Sequence, residues 1–96
     1  MTPYYLSANK LMTWKSFHKE FKSTFNFPDY YGENMDAWID CMDELFEKPI
    51  IINIKNAKKL RENAPDIFAA ILECAAFVNY RKVQEGGNPT ILVAAN

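Results

Sequence analysis

The chain is poor in the residues that metal and phosphate chemistry draw on. It has one histidine, His18, and two cysteines, Cys41 and Cys74, far apart and outside any CxxC pair, so neither a zinc ribbon nor a thioredoxin-type redox motif can be built. Both thiols are expected to be reduced and mostly buried. Of its three glycines, Gly32 stands alone and Gly86-Gly87 precede a β-prone run instead of opening a helix, which excludes a P-loop and a dinucleotide fingerprint. No apolar run approaches the roughly 20 residues of a membrane-spanning helix. The start Met1-Thr2-Pro3-Tyr4 lacks the charged and apolar segments of a signal peptide. A cytoplasmic location without membrane contact is the expectation. A net charge of −1 gives the average surface no basis for gripping a phosphate backbone, so no direct nucleic-acid partner is expected.

What is present is apolar material and segregated charge. With 96 residues, 49% hydrophobic and 15% aromatic, the chain has the size and composition of one folded domain, expected over 1–96. Asp29, Glu33, Asp36, Asp40, Asp43, Glu44 and Glu47 form an acidic segment with no Lys or Arg among them, while the rest of the chain holds five acids against all eleven bases.

Tyr4-Tyr5-Leu6 predicts a first strand, closed by the turn-like Ser7-Ala8-Asn9. Thr13 caps a helix whose apolar residues Trp14, Phe17, Phe21 and Phe25 recur at spacings of three and four. Pro28 and Gly32 break the pattern, and Asn34 caps a second helix with Met35, Trp38, Ile39, Met42, Leu45 and Phe46 on helical spacing, stopped by Pro49. Ile50 to Ile54 predicts a central strand buried on both faces. A short basic helix over 56–63 and a long helix from Pro65 to about Gln84 follow, the latter ended by Gly86-Gly87. Thr90 to Val93 predicts the last strand. The order β-α-α-β-α-α-β, with connections too long for hairpins, gives an α/β fold: a small three-stranded parallel sheet packed against helices.

The acidic segment carries the functional signal. Asp36, Asp40 and Asp43 lie at spacings of four and three, so a helix begun at Asn34 projects them from one side, with Glu44 and Glu47 continuing the band. Like charges so placed repel, and a face needing only solubility would mix in lysine. Three readings fit: a solvated face, a Mg²⁺ or Mn²⁺ site of a small metal-dependent enzyme using Asp36, Asp40 and Asp43, or a surface for a cationic protein, with Tyr30, Tyr31 and Trp38 as flanking aromatics. His18 is expected to be exposed and idle. Cys41, among acids, is not expected to be a reactive thiolate. Lys55, Lys58, Lys59 and Arg61 read as a solvated basic face.

The string Phe27-Pro28-Asp29-Tyr30-Tyr31-Gly32-Glu33-Asn34-Met35-Asp36-Ala37-Trp38-Ile39-Asp40-Cys41-Met42, followed by Pro49 before a hydrophobic strand, resembles the barstar family, intracellular inhibitors of barnase-like secreted ribonucleases. The resemblance implies no catalysis, no cofactor, and a protein that is a monomer when free and binds one nuclease or toxin nuclease domain. It implies a binding face made of Tyr30, Tyr31, Gly32, Asn34, Asp36, Ile39, Asp40, Asp43, Glu44 and Leu45, with Glu73 as the nearest counterpart of a late-helix glutamate. The aspartate matching Asp40 would enter the nuclease active site in place of a substrate phosphate, because arginine forks accept a carboxylate bidentately as they would a phosphate. This chain departs from the family pattern at Ile39 and Leu45, where the prototype carries tryptophan, so the rim and the cognate enzyme are expected to differ. An acidic adaptor for a basic protein that is not a nuclease is the alternative.

Overall fold

A computed structural model describes residues 1–96. The chain runs β1 (Thr2–Ser7), a 3-10 turn (Ala8–Lys10), α1 (Trp14–Phe25), α2 (Met35–Leu45), β2 (Ile50–Lys55), α3 (Ala57–Asn63), α4 (Pro65–Gln84) and β3 (Ile91–Ala95). The three strands form one parallel sheet with β2 in the centre. Register runs from Thr2 opposite Ile50 to Ser7 opposite Lys55, and from Ile50 opposite Ile91 to Ile54 opposite Ala95. The expected α/β architecture is therefore present, with β1 longer than its aromatic run. Pro3 is tolerated because β1 is an edge strand.

Local chemistry sets the helix ends. Thr13 Oγ1 accepts from the Ser16 N–H at 3.1 Å while the Thr13 N–H donates to Ser16 Oγ at 3.2 Å, a reciprocal cap at the start of α1. Asn34 Oδ1 accepts from the Ala37 N–H at 2.8 Å to begin α2. Pro65 opens α4, where a missing N–H costs nothing, and Gly86, at φ +88°, follows its end.

The core lies between the helices and one face of the sheet. Leu6, Ile50, Ile52, Ile54 and Ile91 point into it, together with Phe17, Phe21, Trp38, Met42, Ile67, Ile71 and Val78. The other face of the sheet is only partly covered: Tyr5 and Leu92 are exposed, and Ile51 and Asn53 are half-buried. This corrects the expectation that β2 is buried on both sides. An unbroken β-branched run does not say whether a second layer covers the sheet, and the helices here shield only the Ile50, Ile52 and Ile54 side. Lys55 Nζ, 5.3 Å from the Tyr5 ring centroid, partly shields the open face.

His18 corrects a second expectation. It is buried, stacked on Trp14 and edge-on to Phe17, and its Nδ1 shares a 2.5 Å hydrogen bond with Tyr31 Oη. The segment after α1 folds back over this side of the helix, a contact invisible in local periodicity. Burial holds the imidazole pKa below its ordinary 6.5, opposed in part by the charge of Glu33. The unfolded chain, with its ordinary value, then binds the proton more readily, so stability is full above about pH 6.5 and falls as pH drops from there through the lower folded value. Urea unfolding between pH 8 and 5 should show this decline, and His18→Gln should flatten it. Parallel pH profiles for the two proteins would contradict the assignment.

Candidate protein-binding face

Trp38 and Met42 are fully buried, and Trp38 meets Phe21 edge-on at 5.6 Å between ring centroids. A helix turns about 100° per residue, so Asp40 stands roughly 200° from Trp38, on the side of α2 facing away from the core. The same geometry turns Ile39 and Asp43 toward one flank, and Cys41 and Glu44 toward the other. Asp40, with its side chain 65% exposed, consequently forms a ridge between two hollows. One, of about 450 Å³, is lined by Pro28, Tyr30, Asp40, Cys41, Glu44 and Leu45. The other, of about 480 Å³, is lined by Asp36, Ile39, Asp40, Phe77 and Arg81. A larger hollow of about 590 Å³, between Lys15, Lys19, Lys22 and Asp29 and Glu33, mixes both charges and does not include Asp40.

The loop before α2 is fixed from inside. Phe27 and Tyr31 are buried with ring centroids 4.8 Å apart, the Tyr31 N–H donates to the Pro28 carbonyl at 2.9 Å, and Tyr31 Oη is held by His18. With Tyr31 turned in, Tyr30 is turned out and is 86% exposed. Glu33 takes the left-handed conformation at φ +49°, which is uncommon outside glycine and carries backbone strain. Asn34 Nδ2 donates to the Gly32 carbonyl at 3.1 Å, and a Cβ on Gly32 would come within 3.2 Å of that Nδ2. A side chain at position 32 would therefore press on the Asn34 amide, both ends of which are occupied in building the loop-to-helix junction.

The expected face thus divides. Tyr30, Asp36, Asp40, Glu44 and Leu45 are exposed around the ridge, and Ile39 is half-buried beside them. Glu73 on α4 is exposed, and its charge and that of Asp36 both bear on Cys74, which places the two acids at the same end of the α2–α4 seam. Tyr31 and Trp38 do not offer aromatic surface; both are core residues. Asp43 is turned to α4, with its side chain only 16% exposed.

Nor is the acidic face without compensation, as its local sequence suggests. Lys82 Nζ lies 3.2 Å from Asp43 Oδ1 and donates its well-aligned hydrogen bond to the Asp43 backbone carbonyl at 2.7 Å. Arg81 reaches Asp40 Oδ1 at 3.4 Å and Asp43 Oδ2 at 3.9 Å, with its guanidinium 5.8 Å from the Phe77 ring centroid. Sequence reasoning missed Phe77, Arg81 and Lys82. The one signal was the pair of cations in the last turn of α4, where the helix dipole favours them.

No three acid, histidine or cysteine side chains converge to hold a metal ion, so Asp36, Asp40 and Asp43 share a helix side without forming a cage. Burial first, then Glu44 and Asp40, raises the Cys41 thiol above its ordinary value, and burial first, then Glu73 and Asp36, does the same for Cys74. Both thiols are free and half-buried. Neither is activated as a nucleophile. No helix is long and apolar enough to cross a membrane.

Known proteins carry the same pattern: residues 1–94 match the family Barstar (barnase inhibitor). The chain belongs to the barstar family. A Bacillus subtilis (strain 168) protein named "Putative ribonuclease inhibitor YrdF" is 41% identical over 39 residues, 41% of this chain and 43% of that protein. The chain thus matches less than half the length of that relative. The barstar family is a family of inhibitors, and the three-stranded parallel sheet with four helices agrees with its fold.

The two cations of α4 differ in what they hold. Lys82→Ala leaves the largely buried Asp43 carboxylate without its ammonium and is expected to destabilise the fold by about 1–3 kcal/mol. Arg81→Ala, acting on the exposed Asp40, should cost at most about 1 kcal/mol. Urea unfolding of both variants checks the order, and a larger loss for Arg81→Ala would contradict it.

Proposed function

We propose that this barstar-family protein is a ribonuclease inhibitor that binds a basic microbial ribonuclease or toxin nuclease domain one to one in the cytoplasm and blocks its active site with α2. The observation that carries the reading is Asp40: a carboxylate raised on a ridge, 65% exposed, with a hollow on either side. Such a carboxylate can enter a cleft built for a phosphate and accept two parallel N–H bonds from an arginine fork. Tyr30, Glu44 and Leu45 would meet the partner on one flank, and Asp36, Ile39 and Glu73 on the other. Asp36, Glu44 and Glu73 extend the negative field that steers a basic partner toward the ridge. Tyr31, from the core, and the exposed Gly32 and Asn34, through their mutual hydrogen bond, would hold the loop that presents Tyr30, and Asp43 would lock α2 to α4. The family match and the name of the Bacillus subtilis relative support the same reading.

Inhibition of RNA cleavage by a panel of barnase-like ribonucleases and nuclease toxin domains tests it. Wild type is expected to inhibit stoichiometrically, more weakly as salt rises. Asp40→Ala should lose at least about thirtyfold in affinity, the scale of a hot-spot residue at ~2 kcal/mol, while its melting temperature stays close to wild type. Tight inhibition by Asp40→Ala would overturn the role of the carboxylate. Failure to inhibit any nuclease, with retained binding to a basic protein that is not one, would favour an adaptor.

A further inference from the structure

Arg81 occupies the group that the proposed function assigns to the partner. Its guanidinium donates to Asp40 Oδ1 at 3.4 Å and stands 3.9 Å from Asp43 Oδ2, on the wall of the hollow floored by Ile39 and Phe77. The contact is long and single, leaving Asp40 Oδ2 without a donor, and both side chains are substantially exposed, 37% and 65%. Lys82, by contrast, already serves Asp43 from a largely buried position, so Arg81 is not needed to hold α2 against α4. The Phe77 ring, 5.8 Å from the guanidinium carbon, gives Arg81 a resting place beside the ridge that does not depend on Asp40.

We infer that Arg81 is a built-in competitor for Asp40, an intramolecular guanidinium that covers the carboxylate in the free protein and is displaced when a partner's cation arrives. The inference rests on the reading of Asp40 as the contact residue and adds that its affinity is tempered from within. A displaced Arg81 keeps Phe77 and regains water, so displacement is inexpensive. Exposed ion pairs of this kind are worth a few tenths to about 1 kcal/mol, which corresponds to a lowering of the partner's affinity and association rate by about two- to fivefold. A short bidentate fork from a partner arginine outcompetes one long hydrogen bond. Arg81 thereby favours a partner that presents a well-placed guanidinium over one that is merely basic, and lowers nonspecific capture of polycations.

A cycle of Arg81→Gln and Asp40→Asn, singly and together, tests this with two probes. The first needs no nuclease: a hexa-arginine peptide titrated into the labelled protein, followed at the backbone amides of Ile39 to Cys41. Arg81→Gln is expected to bind the peptide two- to fivefold more tightly than wild type. The gain should shrink toward none in the Asp40→Asn background. An unchanged affinity, or an equal gain in both backgrounds, would overturn the inference, the latter because it reports only net charge. The second probe is association kinetics with a basic ribonuclease that wild type inhibits, where Arg81→Gln should speed association by the same factor. Slower association would overturn the inference. A peptide gain without inhibition of any ribonuclease would leave Arg81 as the cover of Asp40 and count against the proposed function alone.

Discussion

Burial of the Trp38 side chain against Phe21 is the constraint on which the exposed face depends. A helix with an acidic segment could lie on the core at many rotations, and most would bring a carboxylate inward at a cost of several kcal/mol. Trp38 and Met42 settle the rotation, because both are fully buried and stand about 40° apart around the helix, so one narrow side of α2 carries its largest apolar side chains into the core. The position of every other α2 side chain then follows from the helical repeat. Asp40 is outermost, Cys41 and Glu44 face the loop carrying Tyr30, and Ile39 and Asp43 face α4. The inward turn of Tyr31 onto His18 does for the loop what Trp38 does for the helix.

Two cations reach α2 from neighbouring positions on α4, and burial separates their roles. Lys82 and Asp43 are both 16% exposed, so their attraction is little screened and removing either strands the other. Arg81 and Asp40 are far more open to water, and their contact is correspondingly weak. The seam is thus fastened at Asp43 and loose at Asp40. A binding face needs this combination: a rigid frame to hold the contact carboxylate in position, and a contact carboxylate that can change partners at low cost.

Much of this was legible in the amino-acid order because it is local. Thr13 and Asn34 as caps, Pro65 at the first turn of α4, the β-branched run of β2 and the one-sided carboxylates of α2 all act within a few residues of themselves, and each is where the sequence puts it. The parts that were not legible depend on residues far apart in the chain. His18 is buried because the segment containing Tyr31 closes over it, Asp43 is largely buried because Lys82, 39 positions later, lies against it, and the Ile51 and Asn53 side of β2 is open because no layer covers it. The barstar-like string from Phe27 to Met42 pointed to the right surface without distinguishing its two tyrosines. Tyr30 and Tyr31 are identical in sequence terms, and only packing sends one out and the other in.

Hydrogen exchange of the protein alone and bound to a ribonuclease that it inhibits would map the contact face. If Asp40 is the contact residue, new protection is expected over Pro28 to Gly32, along the outer side of α2 around Asp40, and at the Phe77 to Arg81 stretch of α4, with none at Tyr5 or Leu92 on the open sheet face. Protection centred on that sheet face, or on the Lys15, Lys19 and Lys22 side of α1, with the amides around Asp40 unchanged, would contradict it.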